Sequence, residues 1–583
     1  MESKSDKPND DYKQVVKTEI LQSLNEDQVA LSVLDELGKL GWSSAWIKKD
    51  LREQYRVYCR AGVLVDAVPS EDPASKGQLR IRAIPYAILR ERIVQSCKLL
   101  VEKNSKDGVT LVESRPAKWL VDAIHERGHY GGKIRPLAGV IESPTIRADG
   151  SILQNPGWDE ATGLLYRPNA DYPLITDSPA IEAAKRAALR LMEVVCDFPF
   201  TADSDRSSWL AMVLTLIGRE SIDGCVPMFG VSANNRGTGK GRATSAAWLI
   251  SYGREAPADG WPKDQGEQQA KITSFVLEGR RAVLWDNIQA DLGGTPLDLA
   301  ITARTYSDRI KGFSKTTGEM PMNIVFVATG NNLNYSDDTF RRVIPIRMFT
   351  QEENPENRTG FKHPDLLAYV KRNRASLAVD ALTILRAYFV AGLPTQGEAS
   401  FGSFEQWYRI VRGAIVWLGM ADPMGSRSEM EEHDTSKAFL RMIHAGLIEI
   451  DPDGAGVTAK QIQIVIEAKP NEPDFIHCPS LGAAAIEACG KRFDPKRFGK
   501  MLSKFKGRKL DGKWIDSEPV SGVARWRLVG GENGFHGFHR LVLPLPTREK
   551  FEEIPYRSLA GINPPNPPNP RSDDSDEDLG VDF

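Results

Sequence analysis

Apolar positions recur at helical spacing from Asp11 to about Gly41, where Val15, Val16, Ile20, Leu21 and Leu24 predict a helix behind a disordered stretch, residues 1–10. Two apolar runs split by Ala61-Gly62 predict a hairpin within Tyr55 to Val65, and Gln78-Leu-Arg-Ile-Arg-Ala-Ile84 alternates like a half-buried strand. Helices are expected from Tyr86 to Glu102 and from Ala117 to Arg127, followed by a loop-rich segment to Gly163. From Ser178 two helices lead into an apolar strand starting at Val226. Further apolar strands follow at Arg281–Trp285, Met322–Thr329 and Val343–Arg347. Helical periodicity returns at Pro364 to Val390 and Phe404 to Leu418, then at Ser480 to Cys489 and Pro495 to Phe505. Two strands close the pattern, Gly512 to Ile515 and Val523 to Val529.

This succession predicts an N-terminal α+β domain over 11–176, an α/β core over 177–355 and a helical lid or connector over 356–470. A winged-helix domain is expected over 471–545, then a Pro-rich linker and acidic tail over 546–583. A chain of 583 residues is too long for one core, so several units are required. The six cysteines are scattered without zinc or disulfide spacing, and His477-Cys478 lacks partners for a metal. No apolar run is long enough to span a bilayer, and Met1-Glu-Ser-Lys-Ser-Asp6 is no signal peptide; a cytoplasmic protein with no membrane partner is expected. The net charge of −3 is uneven, because Arg571 stands against Asp573, Asp574, Asp576, Glu577, Asp578 and Asp582 in the tail. The rest of the chain is slightly basic.

The chemistry concentrates after Val226. That strand runs into Asn234-Asn-Arg-Gly237-Thr-Gly-Lys240-Gly-Arg242, and a helical segment, Ala243 to Ile250, follows at once. Strand, glycine loop and helix form a phosphate cradle: glycines let N–H groups turn inward, the helix N-terminus adds positive dipole, and a lysine reaches the terminal phosphates. The P-loop pattern wants Gly six residues before the lysine and Ser or Thr after it; Asn234 and Gly241 stand there instead. The strand Arg281-Ala-Val-Leu-Trp-Asp286-Asn287 ends in a carboxylate, which suits nucleotide-bound Mg2+. A third strand ends in Asn331-Asn332, where an amide can orient an attacking water. Arg341-Arg342, directly before the next strand, suit a finger that completes a neighbour's site. Between the second and third motifs, Ser307 to Glu319 reads as a hairpin carrying Arg309, Lys311 and Lys315, placed to track phosphates. Taken singly, each has a plain alternative as a turn, a buried strand end or a solvated loop. Four signals in one order outweigh it.

Together, Gly237-Thr-Gly-Lys240, Leu284-Trp-Asp-Asn287, Ser307-Asp-Arg-Ile-Lys-Gly-Phe-Ser314, Ala328-Thr-Gly-Asn-Asn-Leu333 and Phe340-Arg-Arg-Val-Ile-Pro-Ile346 resemble the helicase portion of phage- and mobile-element-encoded replication proteins. These are similar to poxvirus-type primase-helicases and to superfamily 3 helicases of the AAA+ class. Leu137 to Leu153 and Asp159 to Leu164 resemble the family's segment before the motor. Phe401-Gly-Ser-Phe-Glu-Gln-Trp407 and Trp417 to Pro423 resemble the one after it. The resemblance implies an AAA+ P-loop ATPase core and a hexameric, ATP-driven motor on single-stranded DNA in a bacterial host. Lys240 would lie on the phosphates, Asp286 on Mg2+ and Asn331 at the sensor position, with Arg341 or Arg342 as the finger. Asn287 stands where many AAA+ proteins carry a catalytic glutamate. No primase metal motif precedes residue 177.

Near the C-terminus ten basic residues lie between Lys491 and Lys513, including Lys496, Arg497, Lys500 and Lys504, interleaved with Phe498, Phe505 and Trp514. The density points to DNA-backbone contact, duplex DNA included, with protein docking as the alternative. Asn563-Pro-Pro-Asn-Pro-Pro-Asn-Pro570 is a stiff linker, and the acidic run closes on Leu579-Gly-Val-Asp-Phe583. That ending resembles the tips of bacterial single-stranded-DNA-binding proteins, which would dock host replication proteins. A solubilising tail is the simpler alternative. Two other functions stay open: an ATP-binding initiator or scaffold without processive unwinding, favoured by Gly241 and Asn287, and a small-molecule P-loop kinase, which would not use Arg341-Arg342.

Overall fold

The computed structural model describes residues 17–22, 25–39, 56–71, 77–106, 108–289, 291–311, 316–397, 401–432, 435–473, 475–490, 492–520 and 522–530. The expected disordered start, Lys315, the linker and the acidic tail lie outside them. By contact the chain divides into one unit over Met1–Lys437 and a second over Ala438–Phe583.

At the start of the first unit, two sequence expectations change. Thr18–Leu21 is a strand, not the beginning of a helix, and pairs in parallel with Cys97–Ser105. The helix is Glu26–Lys39. Likewise the helix from Tyr86 ends at Ser96, and the chain turns directly into that partner strand. Both errors share a cause: Ile20, Cys97 and Leu99 are buried, and a short apolar run fits either period until its partner is known. The hairpin forms as expected, Tyr58–Arg60 against Val63–Pro69, turning through Ala61 and Gly62 at φ 49° and 75°. Leu79–Ala83 adds alongside it.

The core of the first unit is a five-stranded, all-parallel sheet. Its strands in chain order are β1 (Met228–Ala233), β2 (Ala258–Asp259), β3 (Ala282–Ile288), β4 (Val325–Asn331) and β5 (Val343–Met348). In space they run β2-β3-β4-β1-β5. Strands buried on both faces read as continuous apolar runs, and Phe229, Val231, Val325, Val327, Ile344 and Ile346 are all at 0–2% exposure. The helix Asp203–Gly218 is buried along nearly its whole length. It packs on β5 and on the helix Lys240–Tyr252. Its polar groups find partners inside: Thr215 Oγ1 accepts from Trp407 Nε1 at 2.8 Å, and Ser208 and Ser426 hydroxyls meet at 3.0 Å. The long helix Leu366–Val390 lies against the helices Ile181–Val194 and Lys240–Tyr252.

In the second unit, helices Ala459–Glu467, Pro479–Cys489 and Pro495–Phe505 and the helix starting at Thr435 enclose Ile443, Leu447, Ile462, Leu481, Phe498, Leu502, Ile515 and Trp526. A four-stranded antiparallel sheet closes this core; the hairpin Lys513–Val520 and Val523–Gly530 forms its middle, and Val457–Thr458 pairs with the second strand of the hairpin. The contact division lies well before residue 471, so elements assigned from sequence to the connector belong with the basic C-terminal helices. No described helix is long and apolar enough to cross a membrane.

Candidate functional site

β1 delivers the chain at its carboxyl end into the loop 234–239, and Gly237 and Gly239 take φ of 74° and 106° there. Only glycine meets both demands of the site: the left-handed backbone, and neighbours already in contact. A Cβ on Gly237 would collide with the Glu356 carboxylate, and one on Gly239 would lie 2.8 Å from the Phe198 ring. Gly239 caps the helix Lys240–Tyr252, whose N-terminus faces the loop.

Asn234 occupies the usual glycine position for a reason visible in its contacts. Its Nδ2 donates to Thr350 O at 2.7 Å, and its Oδ1 accepts from Thr350 N at 3.1 Å. Asn235 Nδ2 donates to Glu352 O at 3.0 Å. The loop is thus fastened to the segment after β5, which no spacing argument could reveal.

Lys240, Asp286 and Asn331 come from three different places in the chain to the carboxyl edge of the sheet. Lys240 Nζ donates to Asn331 Oδ1 at 2.6 Å and to Asn235 O at 3.3 Å. Burial lowers the Lys240 pKa from the ordinary lysine value, and the Asp286 carboxylate opposes that shift. Thr329, on the strand between, fixes the carboxylate: its hydroxyl donates to Asp286 Oδ1 and accepts from Asn287 N at 3.0 Å. The register of β3 against β4 shifts between Trp285 and Ile288, and Asn287 sits in that irregularity at φ 53°. Asparagine tolerates a left-handed backbone better than glutamate does, so the amide has a conformational reason to be there.

A cavity of about 780 Å³ opens beside the loop, lined by Phe198, Gly237 to Arg242, Glu356, Arg358, His363 and Leu366. His363 stacks on Tyr369 at 3.7 Å between ring centroids. The far wall of the cavity, the segment 355–366, was not singled out from sequence beyond the helix expected from Pro364. Arg236 and Arg242 are exposed, Arg242 on the cavity wall, and Thr238 Oγ1 is turned inward onto Asn235 O at 2.7 Å. The donors suit a phosphate, and the exposed Asp286 carboxylate at the strand end suits a magnesium ion that arrives with its nucleotide. Gly241 offers no hydroxyl, and a side chain at 241 would meet nothing within 4 Å. Among the described residues no three His, Cys, Asp or Glu side chains gather as a metal site.

Arg341 and Arg342 are not in this cluster. Val343 pairs with Met228, the first residue of β1, so the arginines stand at the amino edge of the sheet. Six residues of extended chain separate that edge from the loop, roughly 20 Å. Neither arginine reaches Lys240 of its own chain. Arg342 is held by Asp298 at 2.9 Å, while Arg341 is 69% exposed and pairs with Asp338, itself exposed.

The basic hairpin forms, with Thr305–Tyr306 against Met320–Pro321 and Arg309 bridged to Thr316. Lys311 is ion-paired to Glu267. In the second unit Lys496, Arg497, Lys500 and Lys504 are all exposed on the helix Pro495–Phe505, opposite buried Phe498 and Leu502. Asp494 caps that helix, accepting from the Lys496 and Arg497 N–H groups.

No family model matches the chain, and no curated protein does. Solved structures similar to it include the apo C-terminal region of NrS-1, 12% identical over 76% of this chain and 99% of that one, with a TM-score of 0.32. A second is SCCmec type IV Cch, described as an active helicase: 10% identity, 81% and 97% coverage, TM-score 0.28. JCV helicase matches at 9% identity over 45% of this chain and 70% of its own, with a TM-score of 0.18. Likenesses of this size say nothing about the activity of this chain.

Proposed function

We propose that the chain is an ATP-dependent DNA helicase of a phage or mobile genetic element, translocating on single-stranded DNA as a ring, with a hexamer the expected form. The observation that carries this reading is the meeting of Lys240, Asn331 and Asp286 at the carboxyl edge of a parallel sheet, with Arg341-Arg342 at the opposite edge. Lys240 and the loop amides hold the β- and γ-phosphates. Asp286 holds magnesium, whose chemistry is to draw charge from the transferring phosphoryl group. Asn331 orients water. A ring places the amino edge of one subunit against the loop of the next, so an arginine reaches a site that lies beyond reach in its own chain.

The hairpin bearing Arg309, Lys311 and Lys315 faces the DNA channel in this reading. The second unit is a winged helix, with Val457–Thr458 pairing into the hairpin and the basic helix laid on duplex DNA. Host replication proteins are the proposed partners of the acidic tail, in a bacterial cytoplasm. Gly241 and Asn287 favour a second reading, a DNA-bound initiator that assembles on ATP without processive unwinding, because an amide follows Asp286 where a carboxylate could activate water and no hydroxyl follows Lys240. Strand displacement with ATP and Mg2+ separates them. Displacement by the wild-type chain and none by Lys240→Ala supports the helicase; hydrolysis without displacement on any fork supports the initiator.

A further inference from the structure

A second cavity, of about 680 Å³, shares no lining residue with the glycine-loop pocket. Its walls are Gln78 to Arg82 from the N-terminal part, Val140 to Glu142, the end of the loop helix at Trp248, Tyr252 and Arg254, and the turn Glu278 to Ala282. The volume falls in the usual range for small-molecule sites, and Ile81, Val140, Trp248 and Pro257 give it an apolar side.

Its five arginines divide into two groups. Arg82 is committed to Asp66, Arg280 to Asp259 and Glu278, and Arg281 to Glu220. Arg80 is exposed and has no side-chain partner among the described residues, and Arg254 donates only to the neutral amide of Gln78. Arg80 and Arg254, on two different elements of the wall and neither ion-paired within hydrogen-bond distance, offer two guanidinium groups to an anion, with the Glu142 carboxylate as Arg254's nearest opposite charge. Glu142, whose pKa burial raises while the charges of Arg254, Arg374 and Arg167 oppose the shift, and Gln78 supply acceptors beside the apolar wall. A ligand matching all three features has a phosphate, a flat apolar ring system and hydroxyl or amino donors.

We infer that this cavity is a second nucleotide-binding site, taking a free mononucleotide with its phosphate between Arg80 and Arg254. The site abuts the far end of the helix that starts at the glycine loop. Thirteen helical residues, about 20 Å, separate the two.

The test is titration of the full chain with a methylanthraniloyl-labelled ADP, read by energy transfer from tryptophan and by equilibrium dialysis. Lys240→Ala protein is expected to keep one nucleotide per chain. Adding Arg80→Ala and Arg254→Ala is expected to weaken that binding at least ~10-fold. Both arginines are exposed, so the fold is retained; Arg80→Glu alone, with an unchanged melting curve, is the second variant. Equal affinity with and without the two arginines overturns the inference. So does displacement of the label by a short single strand at lower concentration than by ADP, which would make the cavity a nucleic-acid site. If Lys240→Ala leaves the stoichiometry of the wild-type chain unchanged while the arginine changes remove one nucleotide, the glycine-loop reading fails and this one stands.

Discussion

Restoring the P-loop glycine should damage this site. In Asn234→Gly both side-chain bonds to Thr350 vanish, one donated at 2.7 Å and one accepted at 3.1 Å. Each such bond contributes roughly 0.5–1.5 kcal/mol net, and glycine adds about 0.5–1 kcal/mol of backbone entropy. The expected loss is ~2–3 kcal/mol, felt where the loop is fastened to the segment after β5. Since the loop must be re-ordered on binding, up to that amount reappears in nucleotide affinity, about a 10- to 100-fold rise in Kd. Asn234→Ala isolates the amide from the glycine entropy and should show most of the effect. Urea denaturation measures the first quantity and nucleotide titration the second. Unchanged stability together with equal or tighter nucleotide binding in Asn234→Gly would show that the Asn234 amide does not fasten the loop.

Gly241→Ser meets open space and supplies the missing hydroxyl; the Mg2+ concentration giving half-maximal ATP hydrolysis should fall, with helix stability slightly raised. Arg341→Ala should lower the rate of ATP hydrolysis about 1,000-fold at unchanged melting temperature, whereas Arg342→Ala should also lower stability, because it strips Asp298 of its cation. Lys500→Ala with Lys504→Ala should reduce the slope of log affinity against log salt by about 2 for duplex DNA, measured by fluorescence anisotropy. His444 is buried with Nε2 unpartnered; burial lowers its pKa, Asp511 opposes this and Lys513 adds to it. The unfolded chain therefore takes up the proton first as pH falls below about 6.5, so stability is full at neutral pH and is lost as the folded imidazole titrates below that. His444→Leu should remove this part of the pH dependence of melting in the C-terminal unit.

Much of the sheet was legible because strands buried on both faces announce themselves as apolar runs ending in polar groups: Asp286 and Asn331 lie where their runs stop. The site was legible as a list of residues and not as an enclosure. Nothing in the spacing said that Thr350 and Glu352 hold the loop, that Phe198 and Glu356 crowd its glycines, or that Arg342 is held by Asp298. Such contacts join segments far apart in the chain and carry no period. The strand at Thr18–Leu21 was missed for the same reason, since its partner at Cys97 lies far along the sequence. Asn234 and Asn287 looked like departures from a pattern; in the fold one is a fastener and the other fits a left-handed turn.

In the proposed ring, the loop of one chain and an arginine of its neighbour make one ATPase site. Mixing Lys240→Ala with Arg341→Ala protein tests it most directly. Each variant alone is expected to be inactive, but in a mixed ring an Arg341→Ala chain keeps its loop and can receive the arginine of a Lys240→Ala neighbour. Random mixing in equal amounts completes about a quarter of the interfaces, so ATP hydrolysis should recover toward roughly that fraction of wild type. A mixture as inactive as its two components would mean that the arginine does not act across chains.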